Sequence, residues 1–256
     1  MKIAVDTHTH TIASSHAYST VDELAAAAAQ RGLSMLCITD HAPGLMDSPH
    51  LLHFMNYHVL DREIAGVSML YGVELNIMDR HGKLDMPEEV LQQQDLCIAS
   101  YHEICTAPGT RKDNTRAYVA AMNCPYVNII GHPDDGRVPV DFETLVKEAR
   151  ETGVLLEVNN ASLKSAHYRL NTRENLTTML TLCQQYQVSV VLGSDAHYRS
   201  AVGDFQCVLS LLNTLDFPEE LVANTSVEKF RRALRRFSSD SAGHIRKESH
   251  ATSTPL

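Results

Sequence analysis

The stretch "VDTHTH" at residues 5–10 places two histidines one residue apart. In an extended chain residues i and i+2 point to the same side. His8 and His10 therefore present two imidazoles together, with Asp6 two residues behind on the same face. Paired neutral imidazoles suit a divalent transition metal such as Zn, Fe, Ni or Cu. An isolated pair of this spacing is more often two core histidines, so the rest of the chain decides. It repeats the theme in "TDH" (39–41), "GVE" (72–74), "SYHE" (100–103), "GHPD" (131–134) and "GSDAH" (193–197).

The elements that must position these residues follow from hydrophobic pattern. Short apolar runs at 3–7, 35–39, 68–73, 95–99, 126–130, 154–158 and 188–192 read as strands, and continuous apolarity suits strands buried on both faces of a parallel sheet. Between them lie helices with recognisable ends. Thr20 and Glu23 stand at capping-box spacing before an alanine-rich body, with Gly32 past its end. Asp141 caps and Gly153 stops a second helix, and Thr172 is the expected cap of a third. Seven strands alternating with helices predict an α/β fold, closed as a single-domain barrel over residues 1–237. The polar, aperiodic segment 238–256, with His244 and His250, reads as a disordered tail.

In a parallel barrel, chemistry gathers where strands end at their C-terminal side. Six of the seven predicted strands deliver His, Asp or Glu there: His8 and His10, His41, Glu74, His102, His132, and Asp195 with His197. Core histidines have no reason to select one end of every strand. The sixth strand differs, ending "EVNN" with Glu157, Asn159 and Asn160. His16, in "SSHAYST" after the first strand, could join His41 and His197 in a three-nitrogen site with an open position for substrate or water.

Composition narrows the function. A net charge of −9 argues against long nucleic acids and anionic membranes, which require clustered Lys and Arg. No segment approaches the roughly 18 apolar residues of a membrane span, and no secretion signal is evident, so a soluble cytoplasmic protein is expected. The six cysteines form no CxxC pair and read as small reduced core residues.

The set "DTHTHT", "ITDH", "GVE", "YHE", "GHP" and "GSDAH" resembles the PHP superfamily, named for polymerase and histidinol phosphatase domains. "SSHAYST", "EVNNAS" and "GSDAHY" bring it nearest to the YcdX-type phosphatases. The resemblance implies a distorted (β/α)7 TIM-like barrel and a trinuclear centre usually described with zinc. By motif, His8, His10, Glu74 and Asp195 would hold one metal. Glu74 would bridge to a second, completed by His102 and His132, and His16, His41 and His197 would hold the third. Asp195, His41 and His197 are the residues on which activity is expected to depend most. The ligand types also accept Mn or Fe. The resemblance further implies a homo-oligomer, a trimer.

Three Zn²⁺ less the charges of Glu74 and Asp195 leave a formal +4 at the mouth, suited to a small phosphorylated substrate. A metal-activated hydroxide attacking a phosphomonoester is the expected reaction. Asp40, Lys164, Arg169 and Arg199 are candidates to protonate the leaving group, and Asp6 to orient an imidazole. A nuclease, phosphodiesterase or nucleotide phosphatase would use the same centre. An amidohydrolase fits His16 and Glu74 less well, and a non-catalytic metal-binding role comes last. His53 could reach the mouth as a substrate contact; His50, His58, His81 and His167 are expected on solvated loops.

Overall fold

A computed structural model describes residues 1–164 and 169–234; His167 and the predicted tail lie outside them. The strands are β1 (Val5–Asp6), β2 (Met35–Ile38), β3 (Glu63–Ile64), β4 (Val67–Tyr71), β5 (Val73–Asn76), β6 (Cys97–Ser100), β7 (Ile129–Ile130), β8 (Leu155–Asn159) and β9 (Val190–Gly193). They pair in the orders β1-β2-β4-β3 and β5-β6-β7-β8-β9. Every pairing is parallel except the short β3–β4 hairpin. Parallel bridges Thr9–Ala196 and His41–Glu74 join the two sheets at both seams. With β4 and β5 as one interrupted strand, this is a distorted seven-stranded α/β barrel in a single domain.

The interruption falls at Gly72. A Cβ there would stand 2.2 Å from the Leu96 carbonyl oxygen, so only glycine lets the chain pass β6 so closely. The predicted run 68–73 therefore splits, and Glu74 lies inside β5 rather than beyond a strand end. The predicted strand 126–130 shortens to β7. Asn128 is the reason: its side-chain oxygen takes the Cys97 N–H at 2.9 Å, where a backbone carbonyl would otherwise continue the ladder.

The helices are α1 (Val21–Gln30), α2 (Leu51–Met55), α3 (Glu88–Leu91), α4 (Arg111–Met122), α5 (Phe142–Thr152), α6 (Asn160–Lys164), α7 (Thr172–Tyr186), α8 (Gln206–Thr214) and α9 (Val227–Ala233). The Thr20–Glu23 capping box forms on α1, Asp141 caps α5, and Gly153 ends it in the left-handed conformation. Thr172 does not cap α7. Asn171 holds that position without a side-chain cap, and the Thr172 hydroxyl instead donates to the Ser162 carbonyl.

Strand alternation builds two cores and leaves a polar end. Leu36, Ile38, Leu75, Leu156 and Val158 face the helices within the larger apolar cluster. Met35, Cys37, Leu70, Ile98, Ile129, Leu155 and Val191 form a second cluster that Phe230 and Leu234 join. On β8 the inward series runs Leu155, Glu157, Asn159, so the barrel interior changes from apolar to polar toward the strand C-termini. None of the six cysteines is in a disulfide. Among the described residues, no helix is long and apolar enough to cross a membrane.

Candidate metal centre

Both seams of the barrel are made by the segments that carry the candidate ligands. The His10 amide donates to the Ala196 carbonyl, the Asp195 amide to the His8 carbonyl, and the Ala42 amide to the Glu74 carbonyl. Closing the barrel thus brings the ends of β1, β2, β5 and β9 to one point.

Glu74 is fully buried there among five imidazoles. Its Oε2 lies 2.8 Å from His41 Nδ1, 3.2 Å from His8 Nε2 and 3.5 Å from His10 Nε2. Its Oε1 lies 2.8 Å from His132 Nε2 and 3.4 Å from His102 Nε2. Asp195 Oδ1 stands 3.4 Å from His10 Nε2, 3.8 Å from His8 Nε2 and 3.5 Å from His197 Nδ1. His16 Nε2 completes the set 2.9 Å from His197 Nε2. All nine residues selected from the sequence converge. His132 and Asp195 sit at φ +28° and +54°, a region other residues avoid and functional sites often hold.

Three overlapping groups bring ligand atoms close enough to share a cation: His8, His10 and Glu74; His41, Glu74 and His102; His10, His41 and His197. They match the motif-based sets in part, with His41 and His10 each taking part in two groups. Four buried atoms here make no hydrogen bond of acceptable geometry despite their close approach: His8 Nε2, His10 Nε2, His41 Nδ1 and Glu74 Oε2. Buried polar atoms are costly when unsatisfied, and divalent cations held by the first two groups would satisfy all four. The nitrogen and carboxylate donor set fits zinc and also accepts manganese or iron.

A second layer fixes which ring nitrogen faces inward. His8 Nδ1–H donates to Glu157 Oε1 at 2.7 Å. Glu157 Oε2 accepts the His132 amide at 2.8 Å and the Asn159 side-chain amide at 3.2 Å. His102 Nδ1–H donates to Asn76 Oδ1 at 2.7 Å, and Asn76 is oriented by donating to Asp85 at 2.6 Å. His10 Nδ1 meets Ser14 Oγ at 3.3 Å, and that hydroxyl donates to Asp40 at 2.6 Å. Ser14, Asn76 and this role of Glu157 were not anticipated. The available signal was a charged residue inside the apolar run "LLEV", which must face the barrel interior.

The electrostatics call for positive charge at this point: burial would lower the His8 imidazole, but Glu157, Glu74 and Asp195 hold it well above its ordinary range, so a proton stands where a cation would. Burial would raise the Glu74 carboxyl, but His8, His102 and His41 hold it well below its ordinary range. Burial likewise opposes ionisation of Asp195, and His8, His10 and Arg169 hold it well below. Burial pushes His10 well down, reinforced by His41 and His197, which leaves it neutral and able to ligate. His16 is lowered by burial and by the same His197 and His41.

Other sequence-based candidates take different places. Asp6 accepts the Ser194 and Gly203 amides at 3.0 and 2.8 Å and orients no imidazole. Asp40 is buried, but hydrogen bonds from His53, Ser14 and Thr11 and the nearby His10 keep its carboxyl low, so it is an acceptor rather than an acid. Lys164 pairs with Asp204, and Arg199 lines a separate cleft beside α1. Arg169, by contrast, is buried at the centre and donates to Asp195 Oδ2 at 3.1 Å. His53 reaches Asp40 and Tyr57 but does not line the central cavity. His50, His58 and His81 are exposed.

That cavity, about 250 Å³, is lined by His16, His41, His102, His132, Asp195 and His197 with Arg169, Leu45, Met46 and Ile104. Its support tolerates no extra atoms at Gly193, where a Cβ would stand 2.0 Å from Glu157 Oε1 and 3.0 Å from His8 Cβ. Gly193→Ala is expected to cost about 1–3 kcal/mol through overpacking, a fall of a few degrees in melting midpoint. It should also weaken zinc binding at least tenfold by displacing Glu157. Thermal melts and chelator-competition titration measure the two effects separately.

A family model described as PHP domain matches residues 6–247. A probable phosphatase of Clostridium novyi is 43% identical over 229 residues, covering 90% of this chain and 93% of that protein. A probable phosphatase of Acetivibrio thermocellus is 45% identical over 236 residues, covering 92% and 97%. Among solved structures, histidinol phosphate phosphatase of Lactococcus lactis, complexed with zinc, L-histidinol and phosphate, superposes with a TM-score of 0.59. It is 17% identical, and the match covers 85% of this chain and 95% of that one.

Proposed function

The chain belongs to the PHP domain family, and from that premise we propose that it is a metal-dependent phosphatase that hydrolyses small phosphomonoesters at a trinuclear, zinc-type centre. That it is a phosphoric ester hydrolase follows from relatives above 40% identity over nine-tenths of the chain, both probable phosphatases. The observation that carries the finer reading is the convergence of seven histidines and two carboxylates at one end of the barrel, five of the histidines and Asp195 lining one cavity and four buried ligand atoms making no hydrogen bond of good geometry. His8, His10, Glu74 and Asp195, then Glu74, His102 and His132, then His16, His41 and His197 would hold the three ions.

Zinc bound there supplies Lewis acidity toward phosphoryl oxygens and a hydrolytic water whose pKa is lowered to about 7. The chain's own groups do the rest. Glu157, Asn76 and Ser14 fix His8, His102 and His10 so that their Nε2 atoms face Glu74. Arg169 holds Asp195 in place and sets a fixed positive charge against the cavity wall, where a phosphate dianion would dock. Cysteines outside disulfides accord with a reducing, cytoplasmic setting, and a homotrimer remains the proposed assembly.

The test is hydrolysis of an aryl phosphate before chelation, after it, and after zinc or manganese is restored. Activity lost and regained, with about three metal ions per chain by elemental analysis, is the expected result. Metal-loaded protein that cleaves bis-aryl phosphodiesters but not monoesters would replace this reading with the phosphodiesterase one.

A further inference from the structure

The mouth of the metal cavity combines two kinds of surface. Its floor and walls are imidazole and carboxylate, but its lip is Met46, 70% exposed, and Ile104, 69% exposed. Met46 stands between β2 and α2, and Ile104 between β6 and α4, so the two come from separate loops. They belong to a wider pattern. Ile12, Tyr18 and Tyr198 are also large, apolar and exposed, and each stands between a strand's C-terminal end and the α-helix that follows, while Leu170 lies between α6 and α7 and Leu52 and Met55 lie on α2. Among the described residues, none of the exposed large hydrophobics lies on α1, α4, α5, α7 or α8. Exposed apolar side chains at the lip of a polar opening, here Met46 and Ile104, mark a binding surface.

The charged groups beside the lip already have partners. Arg169 donates to Asp195, Ser162 and Asn159, while Arg137 binds both Glu103 and Asp135. The cavity itself is smaller than the roughly 300–1,000 Å³ of sites that enclose a drug-sized ligand. Whatever the phosphoryl group is attached to must extend beyond it, across the lip and past Ile104 into the adjoining cleft of about 430 Å³ that shares His102, Ile104, His132 and Arg169.

We propose that Met46 and Ile104 grip the substrate's leaving group, and that the substrates are phosphomonoesters of apolar alcohols. This rests on the phosphatase reading above. A methionine and an isoleucine facing solvent gain by covering alkyl or aryl carbon, and methionine adapts to either. They offer nothing to the hydroxyls of a polyol.

Methyl, propyl and hexyl phosphate differ in apolar length while their leaving alcohols are similar in acidity, so they separate grip from chemistry. In the zinc-loaded native protein, kcat/KM is expected to rise about tenfold or more from methyl to hexyl phosphate. Propyl phosphate should exceed glycerol 1-phosphate, which has the same carbon count. In M46S/I104S, whose changes fall on exposed side chains, the hexyl-to-methyl ratio should drop to within about twofold of unity. Calorimetry with methyl- and hexylphosphonate reads the same preference without turnover. Monoester hydrolysis with a flat profile, and equal binding of both phosphonates, would overturn this inference and leave the phosphatase reading standing. A native oligomer that dissociates in M46S/I104S while the length preference persists would assign the lip to self-association instead. If no monoester is hydrolysed and no phosphonate binds, the phosphatase reading falls and takes this one with it.

Discussion

Glu74→Ala should lower kcat/KM for an aryl phosphate by about 10³-fold or more, and no other single truncation in the chain should remove as much bound metal. Five imidazoles face this one carboxylate, with ring nitrogens 2.8–3.5 Å from its two oxygens. Two of the three candidate cation groups include it, so its loss opens two positions at once. Each bound cation supplies several kcal/mol of transition-state charge stabilisation, and about 1.4 kcal/mol is a tenfold change in rate. The expected fall therefore runs to thousands even if one ion remains. Elemental analysis should show at least one ion fewer per chain, with the circular dichroism spectrum unchanged. A folded Glu74→Ala protein that keeps its full metal content and turns over within about tenfold of the native rate would sink the ligand assignment. Asp195→Ala is the comparison: its carboxylate serves one group of histidines, so its metal loss should be smaller.

The reading of the sequence succeeded where one residue type recurred at one structural position. Strand alternation and apolar runs located the barrel strands, and the residues at their ends, with His16 on the loop after the first, named the nine groups that come together at one end of the barrel. Boundaries were less legible because they depend on atoms far away in sequence. Gly72 breaks β4 from β5 owing to the Leu96 carbonyl, which no local pattern reveals. Asn171 displaces Thr172 as the N-cap of α7, and the Thr172 hydroxyl is used across the fold by Ser162. The supporting layer was harder still. Ser14 and Asn76 are short polar residues of unremarkable spacing, and their roles arise only once His10 and His102 arrive beside them. Asp6, two residues from His8 and on the expected face, turned out to tie down Ser194 and Gly203. Periodicity fixes a side, but the partner on that side depends on which strand closes the barrel.

Glu157 shows how far such a supporting group controls the site, and Glu157→Gln isolates it. The carboxylate uses both oxygens as acceptors, one for His8 Nδ1–H and the other for the His132 amide and the Asn159 side chain. Glutamine matches its volume but replaces one acceptor with a donor. Whichever way the amide turns, a buried N–H then faces another N–H, either that of His8 or that of His132. Both are candidate ligands, on opposite sides of Glu74, so the misfit reaches two ligands whichever side takes it. Zinc affinity should fall about 10- to 100-fold, the usual consequence of altering a group that orients a ligating histidine. Because the defect is in binding, activity at limiting zinc should fall with occupancy and recover in excess zinc. Glu74→Ala should not recover in this way, since there a ligand itself is missing. Gly193→Ala, which presses on the same Glu157 oxygen, should reproduce the affinity loss and add a lower melting midpoint. Unaltered zinc affinity in Glu157→Gln would mean that His8 is held by its neighbours on β1 and β9 alone, and that the charged residue inside β8 serves the barrel rather than the metal.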